Sequence, residues 1–227
     1  MDLYINEIFA SVQGEGVHTG LLTTFIRLAG CDLRCTWCDT PYSLTIEDGS
    51  PIPVEKVVMD VIAFGTSIVC ITGGEPLMQK ETVFLVERLL KEGFETDIET
   101  NGAHDVSTLP LKKKGLFLSV DVKTPSSGES GSFLLRNLEH LRKDDQLKFI
   151  IKDGSDLDFA LAFLQTHLPS CNIILTPCSN EGGKVIVERL ISLSREERDG
   201  PFRNVSNRIR VMIQTHKVLW PLDERGV

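Results

Sequence analysis

The chain has 227 residues, 41% of them hydrophobic, and a formal net charge of -8 at pH 7. That length suits a single domain over residues 1–227 with a substantial core, and no apolar run is long enough to span a bilayer. The acidic balance argues against general nucleic-acid binding, which draws on clustered cations; with no secretory signal at the N-terminus, the cytoplasm is the expected compartment and a disulfide framework is not expected.

Short β-branched and aromatic runs alternate with helical patterns, which is the order of βα units. The predicted strands are Thr24 to Leu28, Ile68 to Thr72, Glu95 to Glu99, Leu116 to Asp121, Gln146 to Ile151, Ile173 to Thr176 and Arg208 to Ile213. Between them Val54, Val57, Val58, Val61 and Ile62 recur at helical spacing, as do Val83, Val86, Leu89 and Leu90, stopped by Gly93. Phe159, Ala162 and Phe163 mark another helix, and Val185, Val187, Leu190 and Ile191 a further one. Each stripe is read as a core face. The expected fold is α/β, a mostly parallel sheet covered by helices; seven strands are one short of a closed eight-stranded barrel, so an incomplete, open β/α barrel is expected. The basic run Lys112-Lys-Lys114, between Pro110 and Gly115, reads as a solvated loop or helix end, with binding of a phosphate or acidic partner as the alternative.

The unusual residues fall at strand ends. Cys31, Cys35 and Cys38 follow the first predicted strand, Thr72-Gly-Gly-Glu-Pro76 the second, Glu99-Thr-Asn-Gly102 the third, Ser119-Val-Asp-Val-Lys-Thr-Pro125 the fourth, Thr176-Pro-Cys-Ser179 the sixth and Gln214-Thr-His-Lys217 the seventh. In a parallel sheet these carboxyl ends share one face, where barrel enzymes assemble their sites.

The C-x3-C-x2-C loop supplies three thiolates and no fourth. Three can hold three irons of a [4Fe-4S] cluster and leave the fourth iron open to another ligand. Structural zinc, the competing reading, usually takes four ligands in separated pairs; no second pair exists, and His104 has no Cys or His companion. Cys70, Cys171 and Cys178 lie in or beside apolar runs, where free cysteine behaves as a small buried hydrophobe. Gly73 and Gly74 let backbone approach a ligand closely, and Glu75 can accept from an ammonium group; an ordinary tight turn is the alternative.

With Trp37 as the aromatic of C-x3-C-x-aromatic-C, the sequence resembles the radical S-adenosylmethionine (SAM) superfamily. The resemblance implies that the amino and carboxylate groups of SAM chelate the open iron and that the reduced cluster cleaves SAM to methionine and a 5'-deoxyadenosyl radical. Gly73, Gly74 and Glu75 match the motif that meets the SAM amino group. Glu7-Ile-Phe-Ala-Ser-Val-Gln-Gly-Glu-Gly16, Arg27, Cys38-Asp-Thr40, Ile98-Glu-Thr-Asn-Gly102 and Gln214-Thr-His-Lys217 narrow the resemblance to the 7-carboxy-7-deazaguanine synthase family, over nearly the whole chain.

That narrower resemblance implies a redox-neutral lyase of queuosine and 7-deazapurine biosynthesis, converting 6-carboxy-5,6,7,8-tetrahydropterin to 7-carboxy-7-deazaguanine with loss of ammonia and with Mg2+ in support. Thr40 would be the Mg2+ ligand, or else a turn residue. Arg27 would pair with the substrate carboxylate, or form an internal salt bridge. The backbone of Val12, Gln13 and Gly14 and the Glu15 side chain would read the pterin edge, or form a glycine turn. Thr72, Gln214 and His216 would also face substrate, with a structural role open for His216. Trp37, Asp39, Glu99, Asn101, Ser119, Asp121 and Lys123 would lie on the SAM side, and Thr176, Pro177, Cys178 and Ser179 near its adenine; a capped turn is the alternative for Glu99 and Asn101. A flavodoxin-like or other reductant and a homodimer are expected partners. Activating enzymes for glycyl-radical proteins share several of these motifs and the fold; their radical oxidises a glycine of a large partner protein.

Overall fold

The computed structural model describes residues 1–179, 182–196, 200, 203–220 and 226. In chain order the main elements are β1 (Asp2–Val12), β2 (Leu22–Leu28), β3 (Ser50–Pro53), α1 (Val54–Phe64), β4 (Ile68–Gly73), α2 (Thr82–Lys91), β5 (Glu95–Thr100), β6 (Leu116–Asp121), β7 (Gln146–Ile151), α3 (Gly154–His167), β8 (Asn172–Pro177), α4 (Gly183–Glu196) and β9 (Ile209–Val211). The strands form one sheet in the order β3-β1-β2-β4-β5-β6-β7-β8-β9. β2 and β4 to β9 run parallel, and β1 pairs antiparallel with both β2 and β3. β3 and β9 are the two ends of the sheet and do not pair, so the expected open barrel is what forms.

All seven predicted strands occur, the last shortened to Ile209–Val211. The antiparallel pair β1 and β3 was not predicted. In β1 only Leu3 and Ile5 are fully buried among the apolar positions, so its alternation fades after the first half. β3 contains Pro51 and Pro53, which suit an outermost strand because proline cannot donate to a ladder.

Two of the expected helix faces are corrected. In α3 the buried positions are Leu157, Ala160, Leu161 and Leu164, an i, i+3, i+4, i+7 set; Phe159 and Phe163 flank it and Ala162 is exposed. In α4 the inward residues are Ile186 and Leu193 with Leu190 beside them, while Val185, Val187 and Ile191 face outward. Positions 185 and 187 are two apart and cannot share a helical face, since only residues three and four apart stack. Ile62 of α1 likewise faces outward, while Val54, Val57, Val58 and Val61 pack on the sheet.

Between β5 and β6, and between β6 and β7, the connections hold only short 3-10 turns, at Val106–Thr108, Pro125–Ser127 and Leu135–His140. Parallel strands β2 and β4 to β8 are largely buried, as in the run Ile68-Val-Cys-Ile71, which is expected of a sheet covered on both faces. No helix among the described residues is long and apolar enough to cross a membrane. The Lys112 to Lys114 run is an exposed turn.

Candidate active site

The carboxyl ends of the parallel strands surround a cavity of about 510 Å³. One wall is the cysteine loop that leaves β2. Gly30 N–H and Cys31 N–H donate to the carbonyls of Ser43 and Leu44 (2.9 and 3.0 Å), and Thr36 N–H to that of Ser127 (3.0 Å). Trp37 Nε1 donates to Ser126 Oγ at 3.2 Å. So tied, the loop turns Cys31, Cys35, Trp37, Cys38, Asp39 and Thr40 onto the cavity.

All three thiols are free and half-buried. No three His, Cys, Asp or Glu side chains among the described residues converge as a single ion would require. A [4Fe-4S] cluster takes each thiolate on a different iron, so three cysteines of one loop on one cavity wall are a donor set that fits it. Burial pushes the Cys31 and Cys35 thiols up, so iron binding there releases protons. The Thr40 hydroxyl has Cys38 Sγ, at 3.9 Å, as its partner. It is an oxygen donor of the kind a hard Mg2+ ion takes as one member of a shared shell.

The Gly73-Gly74-Glu75 turn has a different cause from the one expected. Gly74 N–H donates to Leu28 O (2.9 Å) and Glu75 N–H to Gly30 O (2.7 Å). A Cβ on Gly74 would collide with the carbonyls of Gly30 and Ser43. The glycines therefore let this turn press against the root of the cysteine loop, while Gly73 and Gly74 still line the cavity. Glu75 is turned inward and inaccessible. Its carboxylate accepts from Leu77 N–H (2.9 Å), Thr100 Oγ (2.7 Å) and Asn101 N–H (2.7 Å). Burial raises its pKa, those hydrogen bonds opposing. It braces the β4 and β5 ends and, unlike Gly73 and Gly74, does not line the cavity.

The opposite wall is charged. Arg27 of β2 gives its Nε to Glu7 of β1 at 2.7 Å, and its guanidinium sits over the rings of Phe9 and Tyr42 (5.7 and 5.8 Å). The salt bridge and the cavity position coexist, because only one edge of the guanidinium is engaged by Glu7. Glu15 accepts from Lys148 Nζ (2.8 Å) on one oxygen and from Gln214 Nε2 (2.6 Å) on the other. Burial works against the Glu15 charge, yet Lys148 and Gln214 hold its pKa at about 2. Glu99 accepts from Gln13 Nε2 (3.2 Å) and Thr72 Oγ (2.9 Å), and burial raises its pKa against the pull of Lys148. A Cβ on Gly14 would strike the His216 ring, so that glycine is what lets the two segments meet; Thr215 N–H donates to Gly14 O at 3.0 Å. Burial lowers the His216 pKa, leaving a neutral imidazole at pH 7.

On the third side Asp121 pairs with Lys123 at 2.7 Å, and the Lys123 ammonium lies 5.9 Å from the centre of the Trp37 ring. Asn101 directs its Nδ2 to Asp32 Oδ1 (3.3 Å) and towards Cys31 Sγ (4.0 Å), and its Oδ1 caps Ala103 N–H. Val12, Gln13, Gly14, Glu15, Arg27, Thr72, Glu99, Asn101, Asp121, Lys123, Cys178, Gln214 and His216 thus all line the cavity. Ser119, Thr176, Pro177 and Ser179 do not. Ser119 is buried and accepts from Gln146 Nε2 (2.7 Å), Thr176 and Pro177 are buried in the sheet, and Ser179 is exposed beyond it. Of the later cysteines, Cys70 and Cys171 are buried as expected while Cys178 is on the cavity wall. His104 pairs with Asp32 at 3.0 Å.

The sequence reading missed Lys148, which lines the cavity from β7. Its one signal is a lone cation inside the apolar run Leu147-Lys-Phe-Ile-Ile151. Tyr42 and Phe9 were missed too, having no pattern that separates them from core aromatics.

A radical SAM superfamily model matches residues 25–151. The 7-carboxy-7-deazaguanine synthase of Thermoplasma acidophilum is 34% identical over 218 residues, covering 96% of this chain and 97% of that one. The enzyme of that name from Methanospirillum hungatei is 37% identical over 216 residues, 95% of this chain and 84% of that one. Among solved structures, QueE from Escherichia coli superposes with a TM-score of 0.74 at 27% identity, covering 94% of each chain. Streptococcus suis SuiB shares the fold alone, with a TM-score of 0.54 at 16% identity over 81% of this chain and 48% of that one. With its three cysteines and its full-length relatives, the chain belongs to the radical SAM superfamily and, within it, to the 7-carboxy-7-deazaguanine synthase family.

Proposed function

We propose that the chain converts 6-carboxy-5,6,7,8-tetrahydropterin to 7-carboxy-7-deazaguanine with release of ammonia, a carbon-nitrogen lyase reaction of 7-deazapurine and queuosine biosynthesis. What carries the reading is that Cys31, Cys35 and Cys38 line the same cavity as Arg27, Glu15 and Glu99. A group held by the thiolates would then lie within one enclosure with a small polar anion. When bound, the [4Fe-4S] cluster and SAM supply a 5'-deoxyadenosyl radical that takes a hydrogen from the substrate and later returns it.

The chain's own residues bind and orient. Arg27, steadied by Glu7 and two aromatic rings, presents its remaining N–H groups to the substrate carboxylate. Glu15 accepts from the N–H edge of the pterin, and neutral His216 and Gln214 complete that side. Glu99, fixed by Gln13 and Thr72, faces the same enclosure from β5. Asp121, Lys123, Trp37, Asp39 and Asn101 would hold SAM, and Thr40 would give Mg2+ one oxygen ligand, the ion supplying charge for the substrate carboxylate. Ion-paired charges exclude bulk water without leaving a bare charge in the cavity. A flavodoxin-like or other one-electron donor, a homodimeric assembly and a cytoplasmic setting, where thiols stay reduced, belong to the proposal.

The test is anaerobic. Cluster-reconstituted protein receives dithionite, SAM, Mg2+ and 6-carboxytetrahydropterin, and product is followed by mass and ultraviolet absorbance. The expected result is 7-carboxy-7-deazaguanine; SAM cleavage with no deazaguanine would transfer the reading to another substrate or to an activating enzyme.

A further inference from the structure

Lys148 is the one cavity cation contributed by β7, and its ammonium lies between two carboxylates from distant parts of the chain. Its Nζ is 2.8 Å from Glu15 Oε2 and 3.4 Å from Asp121 Oδ1, with only 8% of the side chain exposed. Glu99 on β5 is the third carboxylate whose charge acts on it. The other cavity cations have their own partners: Arg27 is engaged by Glu7, Lys123 by Asp121, and Lys217 by Gln214 and, at 3.9 Å, Asp39. Without Lys148, Glu15, Asp121 and Glu99 would share a poorly hydrated space in which like charges strongly disfavour one another.

We propose that Lys148 is a positioning residue for substrate recognition: its ammonium holds the Glu15 carboxylate in the orientation and charge in which it accepts the adjacent N–H donors of a 2-amino-4-oxopyrimidine edge. The inference rests on the reading that Glu15 contacts the pterin. The chemistry is directional. A carboxylate accepts two N–H bonds side by side, whereas a carboxylic acid offers a donor where the ligand also has one. Gln214 Nε2 fixes the other oxygen of Glu15, so Lys148 and Gln214 together set the plane of the group. Burial opposes the Glu15 charge and Lys148 is the largest influence restoring it, with the Gln214 hydrogen bond adding to it. Glu99 faces Thr72 and Gln13 and feels Glu15, Asp97 and Lys148, and Lys123 acts on the cluster from beyond Asp121. Lys148 is thus the charge whose loss returns a proton to this group.

The experiment is anaerobic titration calorimetry of 6-carboxytetrahydropterin into cluster-reconstituted, unreduced protein with SAM, from pH 5.5 to 8.5. Without reductant the ligand binds and does not turn over. Relative to wild type, K148M is expected to lose affinity as pH falls, approaching tenfold per pH unit once Glu15 takes up a proton. K148R, which keeps the cation, is expected to follow the wild-type profile. A K148M profile parallel to wild type, or an equal loss in K148R, overturns the proposal. Should K148M not fold, the E15Q/K148M pair removes both buried charges together; it is expected to bind no more weakly than E15Q alone, and a further loss shows Lys148 acting independently of Glu15 and overturns the proposal. E15Q that binds like wild type overturns the underlying reading of Glu15 itself, a result distinguishable from failure of the Lys148 inference.

Discussion

The wall that carries Cys31, Cys35 and Cys38 is held by main-chain hydrogen bonds and by glycines that leave no room for a side chain, whereas the wall that carries Arg27, Glu15 and Lys148 is held by ion pairs between side chains from β1, β2, β6 and β7 and their loops. Main-chain bonds fix position with little freedom, which suits a group whose ligands must meet several metal atoms at once. Ion pairs fix charge and can redistribute when a polar molecule arrives, which suits a substrate that brings its own carboxylate and N–H groups. The one cavity therefore combines a wall that resists any change of volume with a wall that resists a change of charge.

The largest effect expected is that of Cys35→Ala. Two thiolates remain, and both cluster iron, read by iron and sulfide analysis and visible absorbance, and product formation should be lost; a variant that kept both would show that this wall is more adaptable than its bonding implies. Gly74→Ala tests volume while keeping all three cysteines. Its Cβ meets two carbonyl oxygens, and a loss of about 3 kcal/mol in stability is expected by thermal or denaturant unfolding. Arg27→Ala removes a charge that the substrate wall needs and leaves Glu7 without its partner. KM should rise about thirtyfold, roughly 2 kcal/mol of charge-assisted hydrogen bonding, and a pterin without the 6-carboxylate should be no more affected by the variant than by the wild type. The smallest effect concerns a pair beneath the cavity. His18 Nδ1 lies 3.2 Å from Asp97, and that hydrogen bond, against the opposing effect of burial, raises its pKa above 6.5. The stability it contributes is fully present below the unfolded pKa of His18 and fades as pH rises through the folded one. Thermal melts of wild type and His18→Gln should therefore differ more at pH 5.5 than at pH 8.5.

The cysteine wall could be read from the sequence because its ligands lie within one short loop, although its braces come from as far as Ser126 and Ser127. Five of the seven parallel strands could be read because each is a largely buried apolar run between turn residues; β5, with Ile98 as its one apolar residue, and the half-buried β9 rest on β-branched content and on their place in the βα order. β1 and β3 could not, since one is half polar and the other contains Pro51 and Pro53. The inward turn of Glu75 could not be read because a carboxylate after two glycines looks the same whether it faces a cavity or three buried N–H and O–H donors. Lys148 was missed because its importance depends on Glu15, 133 positions away. Val185, Val187 and Ile191 were assigned inward on hydrophobicity alone, where the helical period favours Ile186, Leu190 and Leu193.

The meeting of Gly14 and Glu15 with Gln214, Thr215 and His216 joins segments about 200 positions apart, with 199 separating Glu15 from Gln214. The sheet grows by neighbour-to-neighbour pairing from β4 to β9, and the cysteine loop finds its braces within the first 130 residues. Closure of the longest loops is entropically slow. During synthesis the cysteine loop and its braces are therefore complete before the pocket can recognise its substrate. A chain arrested before residue 214 contains all three cysteines and the braces of their loop, but not Gln214 and His216, which meet Glu15 and Gly14 on the far side of the cavity.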